Sequence, residues 1–395
     1  MLRLGLFLPQ LPASRGGGFV FESEIYERIC GYHGPDPVTF VFIGWESRPE
    51  GLPAHVHYVD LSDRSFSERL RTRILFTSWL FTASGRERRK KWMGAYITER
   101  IRSEKIDFLW FPTHTVPFTN WPFIATVWDL QHRNSPYYPE VALDGEFERR
   151  EAHFRDVLTK AAFIVVGTDA GVEEVMRYYG VPERRFWKIP HPTPTRHPAG
   201  EKLPEIVPKR PFLFYPAQFW AHKNHITLLR MLQVLETRYH LMFDLVLSGG
   251  DKGNLSFVKQ QVEAYGLQDR VHFAGFVSRE SLQWYYTHAV ALTYASLCGP
   301  ENLPPLEAAS LGCPVIAARV PGATEQLGMF AILVDGLSAE EWADAVVELY
   351  QDQARRAENI AAGKTRAEAF TGADFVASLV KHASMQLPLR RTWGY

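Results

Sequence analysis

Chemistry in this chain concentrates in a few segments where polar residues interrupt apolar ones. The densest is Val290–Ala317, VALTYASLCGPENLPPLEAASLGCPVIA. It reads as a strand, an irregular loop through Gly299, Pro300 and Asn302, a helix opened by Pro304 and Pro305, and a further strand after Gly312. Proline suits a first helical turn, where its missing donor costs nothing. The loop is therefore expected to offer backbone N–H groups around Asn302 and Leu303 at a helix N-terminus, an anion site. Glu307, expected in that first turn, either accepts two hydrogen bonds from a vicinal diol or simply complements the helix dipole.

A second segment, Phe212–Leu229 (FLFYPAQFWAHKNHITLL), sets the polar run Gln218, Trp220, His222, Lys223, Asn224 and His225 between a strand and a helix. Lys223 is placed to clamp a phosphate: a unit charge about 4 Å away interacts by roughly 4 kcal/mol at an effective dielectric of 20. A solvated surface lysine is the plainer alternative. The run Arg15-Gly16-Gly17-Gly18 follows the first strand, and Gly17 and Gly18 let backbone approach a ligand, or else form an ordinary flexible turn. In TVWDLQHRNSPYYP (126–139), Asp129 and His132 lie just past a strand end as candidate base or orienting groups, or as unremarkable loop residues.

These segments need elements to hold them. Apolar runs bounded by turn residues alternate with helical periodicity, the pattern of parallel sheets covered on both faces. One series of strands is predicted at 3–8, 38–43, 108–111, 123–128 and 163–166; a second at 212–215, 243–248, 271–274, 290–294, 314–317 and 331–334. Between them lies His191–Pro211, whose six prolines disfavour helix and central strand, so it reads as a linker and hinge. The chain of 395 residues is thus expected to form an α/β fold of two Rossmann-like domains facing each other across a cleft, at 1–198 and 199–375. A segment at 376–395 is expected to cross back to the first domain.

Composition excludes other classes. Lys plus Arg (44) equals Asp plus Glu (44), against a protein that coats nucleic acid. Three scattered cysteines offer neither a disulfide framework nor a zinc site and fit a reducing, cytoplasmic compartment. The opening MLRLGLFLPQLP has a short apolar run without a cleavage site and reads as a buried strand, and the apolar stretch 74–83 is too short to span a bilayer. Arg64–Lys105 carries 12 basic against 4 acidic residues, with Arg86, Arg88, Arg89, Lys90 and Lys91 together. That surplus suggests a peripheral contact with an anionic membrane or a charged acceptor, or a solvated helix face.

Together the motifs resemble the GT-B glycosyltransferases, and within them the retaining family numbered four, in a branch acting on polysaccharides. The resemblance covers most of the chain and is strongest over 212–336. YPAQFWAHKNH resembles the family's phosphate-binding loop, LSGGD, with Gly249, the strand end after it, and HFAGFVS, with Phe276 and Val277, the loop holding the nucleotide base. NLPPLEAASLGCPVIA resembles the closing half of a motif of two glutamates separated by seven residues, which places Glu307 on the donor ribose. The first glutamate falls on Gly299, with Glu301 as a substitute two positions on, and the family's usual arginine falls on Gln218.

The resemblance implies transfer of a hexose, mannose or glucose-type, from GDP-mannose or a UDP-hexose to a hydroxyl of a glycan or lipid-linked acceptor. Anomeric configuration is retained by front-face displacement, with no cofactor and no metal. Lys223 and the amides near Asn302 stabilise the departing diphosphate; the acceptor enters past Gly17, Asp129 and His132. The rivals are a sugar-nucleotide epimerase on the same fold, a catalytically silent sugar-nucleotide-binding subunit, and a membrane-tethering module.

Overall fold

The computed structural model describes residues 1–7, 17–62, 83–116, 120–194 and 202–394. Two parallel sheets organise them. Strands β1 (Leu2–Phe7), β2 (Val38–Gly44), β3 (His57–Asp60), β4 (Phe108–Trp110), β5 (Phe123–Thr126), β6 (Phe163–Val166) and β7 (Phe186–Lys188) form a 7-stranded sheet in the order β3-β2-β1-β4-β5-β6-β7. Strands β8 (Phe212–Pro216), β9 (Asp244–Ser248), β10 (Val271–Gly275), β11 (Ala291–Tyr294), β12 (Val315–Ala318) and β13 (Ala331–Val334) form a 6-stranded sheet in the order β10-β9-β8-β11-β12-β13. All predicted strands are present. The sequence reading omitted β3 and β7, both short and at sheet edges.

Parallel strands covered on both faces must be apolar throughout. β8 and β9 obey: Leu213 pairs with Leu245, Phe214 with Val246 and Tyr215 with Leu247, all fully buried. Helix His225–Tyr239 supplies Leu228, Leu232 and Leu235 to this core, and helix Ala339–Gln351 supplies Trp342, Val346 and Leu349. Each sheet reverses strand order once, between β1 and β4 and between β8 and β11. At such switch points the loops leave in opposite directions and open a crevice outside the carboxyl ends.

The last helices change partners. Helix Gly372–Met385 begins with a capping box in which Thr371 and Asp374 satisfy each other's backbone donors. It then lays Phe375, Val376, Leu379, Val380 and Ala383 into the core of the amino-terminal sheet, beside Leu2, Leu4, Phe21 and Trp110. Arg390 donates to the Asp107 carbonyl at 2.9 Å, tying the end of the chain to the same sheet. The outgoing and returning chains cross side by side, with Thr193 N–H donating to the Phe370 carbonyl at 3.1 Å. No helix among the described residues is long and apolar enough to cross a membrane. Most of the apolar stretch 74–83 and the Arg15-Gly16 pair lie outside the described residues.

Candidate functional site

The crevice at the β8/β11 switch point holds Lys223. After β8 the chain makes one tight turn, Ala221–Lys223, and Asn224 takes a left-handed φ of 53° before helix His225–Tyr239 begins. Asn224 is fixed there by its own amide, which donates to the Gly336 carbonyl at 2.7 Å and accepts from Thr227 Oγ1 at 2.8 Å. The backbone carbonyl of Lys223 accepts from the Tyr215 hydroxyl at 2.8 Å. Its Nζ donates to Tyr294 Oη and to Ser296 Oγ, each at 3.1 Å, both just past the end of β11 or on its last residue. The ammonium is thus pinned between the carboxyl ends of the two switch-point strands. His225, next in sequence, is wholly buried and stacked on Phe219 at 4.5 Å; burial pushes its pKa down to about 3, so it is a neutral core residue.

The loop after β11 departs from expectation in two respects. The Asn302 N–H is already engaged by Gln326 Oε1 at 2.9 Å, while Gln326 Nε2 donates back to the Asn302 carbonyl at 2.9 Å. With prolines at 304 and 305, helix Leu303–Ser310 offers few first-turn donors, so the anion site expected at Asn302 and Leu303 is largely closed. The Asn302 side chain belongs to the lysine network instead, accepting from Tyr294 Oη at 2.7 Å. Leu303 packs into the amino-terminal core. Glu307 is the fifth residue of the helix and sits in its second turn, where dipole complementation is weak. It is buried and accepts from the Tyr286 hydroxyl at 3.0 Å, which orients the carboxylate.

The predicted base loop lies at the ends of β9 and β10. A Cβ on Gly249 would fall 2.3 Å from the Ala217 carbonyl oxygen, so only glycine lets the β8 and β9 loops touch. Gly275 takes φ 61°, after which the Phe276 ring covers Gly250 and stays 66% exposed, an aromatic face presented to solvent. Val277 packs partly into the core.

The amino-terminal domain forms the opposite wall. Helix Gly17–Cys30 starts at Gly17, with Gly18 next, after the first strand. Asp129 follows β5, accepts from the Gln131 N–H at 2.9 Å and lines a cavity of about 350 Å³ between the domains, faced by Cys298, Gly299 and Pro300. His132 does not reach it. Its ring is wholly buried, stacked on Phe154 at 5.4 Å, with Nε2 3.1 Å from Tyr179 Oη, and burial lowers its pKa. The histidine offered as a base from sequence is a core residue, because the short helix Gln131–Asn134 turns it inward.

Glu301 also sits differently from expectation. Its side chain is 3% exposed, accepts from the His191 N–H at 2.6 Å and lies directly over Gly167, where a Cβ would fall 1.4 Å from the carboxylate. Burial, then the nearby Glu325, pushes its pKa up to about 8. A carboxyl so enclosed by the amino-terminal domain is not presented to a sugar, so the substitution expected for Gly299 is not what the structure displays.

Sequence reasoning missed the groups that bridge the domains. Glu140 accepts from the N–H of His222 at 3.1 Å and also from its Nδ1, one residue before Lys223. Glu325 accepts from the Asp169 N–H at 2.7 Å and pairs with Lys188 at 3.3 Å. Neither pairing has a local signature, since the partners are far apart in the chain.

Comparison with known proteins agrees with this fold. The chain is similar to the O-antigen chain mannosyltransferase B of Escherichia coli, 25% identical over 229 residues, 56% of this chain and 60% of the relative. It is also 27% identical over 236 residues to the D-inositol 3-phosphate glycosyltransferase of Paenarthrobacter aurescens (strain TC1), 57% of this chain and 58% of that one. These matches span less than two thirds of the relatives' length. Among solved structures, sucrose-phosphate synthase from Thermosynechococcus elongatus superposes with a TM-score of 0.67 at 17% identity, covering 98% of this chain and 100% of that one. Anabaena HepE, in complex with UDP and glucose, does so at 0.67 and 13%, with the same coverage. The architecture is GT-B. Residues 201–366 match the model described as Glycosyl transferases group 1.

Proposed function

We propose that the chain transfers a hexose from a nucleoside diphosphate sugar to a hydroxyl of a glycan or lipid-linked acceptor, with retention and without a metal. The observation that carries this reading is the Lys223 ammonium, held by Tyr294 and Ser296 at the switch point. There it neutralises charge growing on a departing diphosphate, an effect strongest in a preorganised, water-poor site. Glu307, held by Tyr286, accepts the two hydroxyls of the donor ribose, and the exposed Phe276 face with Val277 bounds the base. The acceptor occupies the cavity between Asp129 and the Gly299 loop. The leaving phosphate oxygen takes the acceptor's proton on the same face, which requires no side-chain base and so accommodates the burial of His132.

A mannosyl donor is favoured by similarity to the Escherichia coli mannosyltransferase and to the GDP-mannose-dependent alpha-(1-6)-phosphatidylinositol monomannoside mannosyltransferase of Mycobacterium tuberculosis, 29% identical over 167 residues. A UDP-hexose is the alternative, as in the HepE complexes with UDP and glucose. The reading extends to the cytoplasmic face of a membrane, with Arg86–Lys91 of helix Ala83–Ser103 as the contact. Incubation with GDP-mannose or UDP-glucose and an oligosaccharide acceptor, with the product analysed by proton NMR, tests it. An α-linked product from the α-donor, formed in EDTA, is expected; a β-linked product, or dependence on an added divalent ion, contradicts it.

A further inference from the structure

Resting on the assignment of the interdomain cavity to the acceptor, the charges on its wall narrow what that acceptor is. Among the described residues lining it, the amino-terminal side contributes three carboxylates, Asp129, Glu173 and Glu174, and one cation, Arg177. Asp129 has a second guanidinium, Arg150, at 3.9 Å, but that group is already bonded to Glu146 at 2.6 Å. Glu174 is partly buried, and its pKa is raised by that burial and by Asp129, while Asn134 hydrogen-bonds it. Gln131 and Asn134 add two carboxamides to the same wall.

An ionised carboxylate only accepts hydrogen bonds, and a carboxamide both donates and accepts. The wall is therefore rich in acceptors for hydroxyl donors and poor in groups that satisfy an anion. A sugar ring presents several O–H donors and no charge. A phosphate or carboxylate presents acceptors and negative charge to a surface that already carries more of both. The opposite side of the cleft holds the Lys223 ammonium, the natural partner of the donor's diphosphate. The lining of the cavity, with three carboxylates against one cation, thus disfavours the diphosphate in the acceptor's place.

We infer that the cavity admits acceptors whose reacting unit is an uncharged polyol, a neutral sugar ring, and disfavours units that carry phosphate or carboxylate. A lipid-linked glycan satisfies this where its phosphates lie far from the sugar that enters.

The test is equilibrium binding of a methyl hexopyranoside and of the same sugar bearing a 6-phosphate to the full chain, by NMR titration at low ionic strength without donor. The neutral sugar is expected to bind at least tenfold more tightly. In the Glu173→Gln/Glu174→Gln double variant the gap is expected to shrink to within about threefold, by gain of phosphosugar binding. Equal or tighter binding of the phosphosugar by the unmodified chain overturns the inference, as does a gap unmoved by the double variant. Binding of neither sugar in the millimolar range overturns it as well. If the neutral sugar is preferred as described but no nucleotide sugar is ever turned over, the transferase reading fails and the cavity remains a site for neutral sugars.

Discussion

At the scale of single residues, the positions of Lys223 and Glu307 after strand-to-helix junctions were legible in the sequence, but the side chains that hold them were not. Tyr294 and Ser296 hold Lys223, and Tyr286 holds Glu307, from other elements. Removing the ammonium in Lys223→Ala is expected to lower kcat/KM for the nucleotide sugar by about 10²- to 10³-fold, following from roughly 4 kcal/mol of lost interaction. Steady-state assays with the donor varied check this. Glu301 gives a pH-dependent prediction. Its carboxyl rises from an ordinary 4.5 to about 8 because it is buried, so the folded state holds a proton that the unfolded chain gives up. Its contribution is therefore most favourable below about 4.5 and is lost as pH climbs through about 8. Glu301→Gln keeps an oxygen for the His191 N–H but carries no charge. It is expected to raise Tm relative to the unmodified chain at pH 8 by a few degrees, with the advantage shrinking towards pH 5; calorimetric scans across that range read it.

At the scale of elements, apolar runs located the central strands because both faces are covered and polar residues are few there. β3 and β7 escaped because edge strands are short and half-exposed: His57 and Lys188 point to solvent. The register of helix Leu303–Ser310 misled in another way, since two prolines near its start suggested an N-terminus at 304–305 whereas the helix begins at Leu303 and Glu307 falls in the second turn. Gly249 is the element-level constraint with the sharpest consequence. Gly249→Ala would press a methyl onto the Ala217 carbonyl and is expected to cost about 1–3 kcal/mol of stability, read by urea unfolding, and to weaken nucleotide binding with it. Helix Gly372–Met385 makes a complementary case. Phe375 is wholly buried against Phe21 and Trp110, so Phe375→Ala is expected to cost about 3–5 kcal/mol. The loss should appear in hydrogen exchange as lost protection in β1 and helix Gly17–Cys30, not in the sheet that precedes it in sequence.

At the scale of the whole molecule, the two sheets and the proline-rich connection were visible in the sequence, but their mutual arrangement was not, because it depends on pairs such as Glu140 with His222 and Glu325 with Asp169 and Lys188. Burial pushes the Glu140 carboxyl up, but its bonds to His222 outweigh that and leave it below the usual range, the mark of a charge favoured where the two domains meet. Glu140→Ala is expected to weaken the contact between the two domains and to raise the radius of gyration in small-angle scattering. The account as a whole stands on a diphosphate lodged against Lys223 with its ribose on Glu307. Calorimetric titration of GDP and UDP into the unmodified chain, Lys223→Ala and Glu307→Gln measures that most directly. The account predicts micromolar binding of one nucleotide, weakened at least a hundredfold by Lys223→Ala and about tenfold by Glu307→Gln; undiminished affinity in both variants would contradict it.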